Sequence, residues 1–114
     1  MPELRPQEGM VQRIVATERE CLVVIELAPG TLIESHKHEV DEIGAVVKGQ
    51  VVMAIAGEQR VLTAGDCYRI PSGTAHGARV LQDPVTIVDC FAPARDDLRK
   101  AFERQNAAKP ARLP

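Results

Sequence analysis

Strand-length runs of Val, Ile and Leu recur through the middle of this chain, each closed by a Gly or Pro signal. That rhythm predicts short β-strands at residues 13–17, 21–27, 31–38, 42–47, 50–56, 59–62, 67–70, 77–81 and 85–91. Pro29-Gly30, Lys48-Gly49, Gly57-Glu58, Ala64-Gly65-Asp66 and Asp83-Pro84 supply turns between them. With 114 residues the chain suits one domain around one core. Its only Phe and Tyr residues are Phe91, Phe102 and Tyr68, so the core must be built from Val, Ile, Leu, Met and Ala. β-Branched side chains fill pleated surfaces well, and a narrow barrel over residues 13–92 is expected. After residue 92 the period changes. Asp96 or Asp97 can cap a helix over 96–105, with Leu98, Ala101 and Phe102 on one face. That face is expected to pack on the outside of the barrel or on a partner subunit. Residues 107–114, with two prolines and two cations, read as a tail. No repeat or linker interrupts the pattern, so 1–114 is expected to be a single domain.

Composition removes several function classes. Lys and Arg number 14 against 16 for Asp and Glu, a formal charge of −2 with no basic run, so no nucleic-acid footprint is present. Residues 1–12 are polar and carry no apolar stretch of the kind a signal peptide needs. No apolar run approaches the roughly 20 residues that span a bilayer, so no membrane association is expected. Cys21, Cys67 and Cys90 are odd in number and far apart in sequence. They are expected to be buried thiols in a reducing compartment, which points to the cytoplasm.

All three histidines fall inside two short patterns. The first is Gly30-x5-His36-x-His38-x3-Glu42-x6-Gly49, and the second is Gly65-x5-Pro71-x-Gly73-x2-His76. Side chains two apart on a strand share a face, so His36 and His38 can point together if the strand continues through both. Glu42 keeps the same parity, and His76 would arrive from a second strand. A lone His-x-His pair is usually a surface accident. Here a spaced carboxylate, flanking glycines and a matching second half turn the balance toward a metal site. Imidazoles with a carboxylate suit a divalent transition metal: Zn, Ni, Fe, Mn, Co or Cu. Pro71-Ser72-Gly73 fixes the backbone course just ahead of His76.

Asp89 stands in an otherwise apolar strand, on the same face as Ile87 and Phe91. A carboxylate there is costly unless it is paired, hydrated or turned toward a polar cavity. Arg95 follows closely, so the two could form a structural ion pair closing the barrel end, or could serve a functional pocket.

Together the two histidine patterns resemble the paired motifs of the cupins, with the match running from Gly30 to His76. The resemblance implies an all-β jelly-roll barrel (a double-stranded β-helix) with a short C-terminal helix, carrying one metal on His36, His38, Glu42 and His76. The second motif often ends in Asn, and here that position is Val80; the Asn is not a ligand. The segment Asp89-x-Phe91-x-Pro93-x-Arg95-x-Asp97 is similar to that of cupins of pectin breakdown. Those proteins convert an unsaturated uronate to its linear keto form, and the resemblance implies that Asp89, Phe91 and Arg95 lie by the metal and take part in turnover. That group carries Gln where this chain has Glu42, which adds a negative charge to the ligand set.

The resemblance implies an isomerase-like, ring-opening enzyme acting on a sugar acid or a related carboxylate-bearing small molecule. In that scheme the metal is a Lewis acid, Asp89 exchanges protons, Arg95 grips a carboxylate and Phe91 shapes the wall. Dioxygenase chemistry is the alternative, since three His and one Glu leave coordination positions open. A non-catalytic binding module is the third reading, because cupins also serve as ligand-binding halves of regulators. Small cupins commonly pair, so a homodimer is expected, with the strand at 13–17 adding to a neighbour's sheet edge.

Overall fold

The computed structural model describes residues 3–108. In chain order the strands are β1 (Met10–Ala16), β2 (Cys21–Leu27), β3 (Leu32–His36), β4 (Asp41–Lys48), β5 (Gln50–Ile55), β6 (Glu58–Thr63), β7 (Cys67–Ile70), β8 (His76–Val80) and β9 (Val85–Ala92). The helix α1 follows over Asp96–Ala108. Every expected strand forms. The β1 strand starts earlier than expected, at Met10, and carries the barrel's beginning with it. The helix extends past 105 to Ala108, taking in the start of the expected tail; residues 109–114 lie outside the described residues.

The strands form two antiparallel sheets, a five-stranded one in the order β1-β2-β9-β4-β7 and a four-stranded one in the order β3-β8-β5-β6. The jelly-roll expectation holds. Alternation drives the packing: along β2, Cys21, Val23, Ile25 and Leu27 turn inward, and along β9 so do Val85, Ile87, Asp89 and Phe91. Val51, Met53, Ala78 and Val80 meet them from the other sheet. Burying each Val, Ile, Leu, Met or Phe side chain among them contributes on the order of 1.5–3 kcal/mol. Asp89 therefore sits among residues that exist to exclude water.

The helix packs on β1, with Leu98 and Ala101 buried and Phe102 half-buried. Asp96 and Asp97 occupy its first turn, where they complement the helix dipole, and Arg95 is the residue that precedes it. Leu98 reaches further than an outer packing face requires, because it lines the cavity inside the barrel. Leu4 bridges Gln12 and so covers part of the free edge of β1. Among the thiols only Cys21 is buried; Cys90 is half-buried and Cys67 is exposed, because odd-numbered Cys67 falls on the outward parity of β7. No helix among the described residues is long and apolar enough to cross a membrane.

Candidate metal centre

The three imidazoles converge at one end of the barrel. His36 and His76 are direct cross-strand partners on β3 and β8, and their rings lie 4.3 Å apart. The pairing register shifts between Ile33 and His36, a bulge that re-aims the end of β3. That bulge lies against Gly77, where a Cβ would come within 2.7 Å of the Ile33 carbonyl oxygen. Any larger residue beside His76 would push β3 away.

His38 arrives differently from the sequence expectation. The strand stops at His36, so His38 lies in the connection to β4 and Glu42 on β4 itself. Strand parity does not bring the first motif's residues together; a turn between two sheets does. The second motif's bend fixes that turn, since the Gly73 amide donates to the His38 carbonyl at 2.8 Å and the Ser72 amide to Asp41 at 2.9 Å. Gly73 holds a φ of +79°, a conformation that L side chains resist.

Hydrogen bonds choose the tautomers. His36 Nδ1–H donates to the Glu34 carbonyl and His76 Nδ1–H to the Thr74 carbonyl, each at 2.9 Å. A carbonyl can only accept, so each Nδ1 carries the proton and each Nε2 presents its lone pair to the cavity. The ligand atoms of His36, His38 and His76 all lie within 4.8 Å of one another. Glu42 Oε1 stands 3.1 Å from His38 Nε2 and 3.4 Å from His76 Nε2. Although within reach of His38, Glu42 Oε1 is not aligned for a hydrogen bond. Both His38 ring nitrogens and Glu42 Oε1 are buried without a hydrogen-bond partner. Buried polar atoms left unpartnered cost about 1–3 kcal/mol each. Lone pairs and a carboxylate turned toward one point have the donor chemistry a cation satisfies, so this cluster could hold a divalent metal.

Protonation follows from the same surroundings. Burial and the positive charge of Arg95 hold His38 below the ordinary imidazole range, against the pull of Glu42. Burial also opposes the charged form of His76, but the Glu42 carboxylate beside it, with the Thr74 carbonyl, outweighs burial and raises its pKa. A proton on His76 Nε2 and a metal would therefore compete for one lone pair.

Opposite the histidines stands an acidic wall on the five-stranded sheet. Asp89 is only 4% exposed and Glu42 5%. Burial and the Glu42 charge raise Asp89 well above the usual carboxylate range, while a hydrogen bond from Tyr68 pulls the other way. Tyr68 donates its hydroxyl to Asp89 Oδ1. Burial and the Asp89 charge push the phenol upward, so it remains a donor. Phe91 sets its ring 5.3 Å from that of His38, edge to face. Arg95 lies over Phe91 at 5.1 Å, but its guanidinium forks onto Asp97 at 2.7 and 3.1 Å. The Asp89–Arg95 pair is thus not formed; Tyr68 and Asp97 take the two partners. His36, His38, Glu42, His76, Asp89, Phe91 and Arg95 line one cavity of about 90 Å³.

Tyr68 and the small residues that admit these contacts, Gly44 and Gly77, did not stand out in the sequence. The available signal was parity, because Tyr68 shares the inward face of β7 with buried Ile70.

Comparison with known proteins agrees with this geometry. A family model described as the cupin domain matches residues 23–91. The pectin degradation protein KdgF of Dickeya dadantii (strain 3937) is 30% identical over 92 residues, covering 79% of this chain and 84% of that protein. The solved structure of KdgF from Halomonas sp. aligns with a TM-score of 0.80 at 34% identity, covering 85% of this chain and 90% of that one. An RmlC-like cupin from Shewanella frigidimarina NCIMB 400 aligns with a TM-score of 0.80 at 27% identity, covering 84% and 86%. The barrel, its paired histidine segments and a family match over more than half of the length give one conclusion: the chain belongs to the cupin family.

Proposed function

We propose that this chain works as a single cupin domain that opens the ring of an unsaturated uronate, or a close sugar-acid relative, in a metal-dependent reaction without net redox change. The observation that carries the proposal is the shared cavity, in which Asp89, Phe91 and Arg95 face the imidazole cluster. The likeness to two KdgF proteins, one of them named for pectin degradation, supports the substrate class.

His36, His38, His76 and Glu42 would hold the ion, and all four donors fit Zn, Ni, Fe, Mn, Co or Cu. When bound, a divalent metal supplies Lewis-acid polarisation of a substrate oxygen. Asp89, buried beside that position, takes or returns the proton that ring opening and tautomerisation require. Arg95 binds the substrate carboxylate, which must displace the exposed Asp97 carboxylate from the guanidinium fork. Phe91 holds the His38 ring and forms the wall between metal and arginine. Metal-restored protein should accelerate loss of the ultraviolet absorbance of an unsaturated uronate. No acceleration at confirmed metal occupancy would remove the proposal.

A cytoplasmic homodimer fits the remaining features. All three thiols are free, and Val15 and Ile43 expose apolar surface along one outer groove of the five-stranded sheet. Light scattering at micromolar concentration should give twice the chain mass, and a monomer mass would contradict it.

A further inference from the structure

Asp89 lies mid-strand, buried, and its fixed partner lies two strands away on β7. Register explains how. Gly44 on β4 pairs with Asp89 on one side and with Tyr68 on the other, so Asp89, Gly44 and Tyr68 form one row across the sheet. Adjacent strands are about 4.8 Å apart, so the two outer residues of the row are separated by roughly 10 Å of backbone. A phenol can bridge that distance only if the middle residue leaves its side of the sheet clear. A Cβ on Gly44 would collide with Asp89 Oδ1 and with Tyr68 Cζ and its hydroxyl oxygen. Gly44 is not among the glycines with positive φ, so the backbone there would accept any residue. Its missing side chain, not its flexibility, is what the site uses.

The geometry points to Tyr68 as a positioning residue, which reaches across Gly44 to hold the Asp89 carboxyl in place beside the metal cavity. One Asp89 oxygen is engaged by the phenol, which restricts the rotamer of the carboxyl. Tyr68, with Met53, lies between that cavity and a neighbouring one lined by Arg69, Pro71 and Thr74. The kinetic part of this inference rests on the uronate-opening proposal; the structural part does not.

The chain has one Tyr and no Trp, so its ultraviolet-excited emission reports Tyr68 alone. A carboxylate that accepts the phenol's hydrogen bond quenches this emission. Native protein should emit below the denatured chain, and Asp89→Asn should recover intensity while circular dichroism stays unchanged. Gly44→Ala keeps the hydroxyl but fills its path, and should recover intensity in the same way. Equal emission from native protein and both variants would overturn the contact. Tyr68→Phe removes one oxygen from an otherwise unchanged ring. It should lower kcat on an unsaturated uronate by about 10- to 100-fold, with metal content and KM held, as expected when a catalytic group is misplaced by up to about 1 Å. Wild-type kcat in Tyr68→Phe would overturn the positioning role. If wild-type protein itself does not act on the uronate, the substrate proposal fails, and the emission measurements still decide the Tyr68–Asp89 contact.

Discussion

The two walls of the cavity are built by different means. On the histidine wall, backbone groups orient the ligands: the Glu34 and Thr74 carbonyls set two imidazoles, and the Gly73 amide anchors the segment bearing the third. On the acidic wall, side chains orient side chains. Tyr68 holds Asp89, Phe91 supports His38, and Asp97 occupies Arg95. Backbone partners persist through most substitutions, whereas side-chain partners can be exchanged one at a time. The histidine wall should therefore be sensitive mainly at the glycines that set its backbone, Gly73 and Gly77, while under the proposed function the acidic wall is where reaction and substrate can be retuned.

Substitutions that separate the walls test this contrast. The largest effect should come from His76→Ala, which removes the one proposed ligand that the second motif contributes. Metal affinity should fall by more than the 10- to 100-fold typical of losing a mere orienting partner, and turnover should vanish with it. Wild-type protein should also gain about 2.7 kcal/mol of stability at a free metal concentration about a hundredfold above Kd. Denaturant melts of the variant should show no such gain. Next, Asp89→Asn should cut turnover by roughly 10²- to 10⁴-fold, the range for removing a general acid or base. Elemental analysis of that variant should still find one metal per chain; loss of metal would place Asp89 in the ligand set and erase the division. The smallest effect should come from Gly73→Ala, where a positive φ would cost about 1–2 kcal/mol. Isothermal titration should show weakened metal binding, and Tyr68 emission should not move. A change in emission would mean the walls are mechanically one unit.

The same contrast governs what is legible in the sequence. His36, His38, Glu42 and His76 stand in compact patterns, and the turn signals around them are local chemistry, so the proposed ligand set is legible. The mechanism of convergence was not: strand parity suggested a continuous strand through His38, but β3 ends at His36 and the bulge against Gly77 does the aiming. Asp89 was conspicuous as a charge in an apolar strand. Its partner was not, because pairing with Tyr68 depends on the register of β4 with both β9 and β7. Spacing along one strand carries no information about a residue two strands away. Arg95 shows the same limit, since proximity in sequence suggested Asp89 as its partner and the start of α1 supplied Asp97 instead.

Anomalous diffraction from crystals of the zinc- or cobalt-loaded protein tests the shared centre most directly. A single peak should lie about 2.0–2.2 Å from Nε2 of His36, His38 and His76 and from a Glu42 oxygen, the distances expected for such ligands. A peak elsewhere on the molecule, with those three imidazoles left uncoordinated at full metal loading, would contradict it.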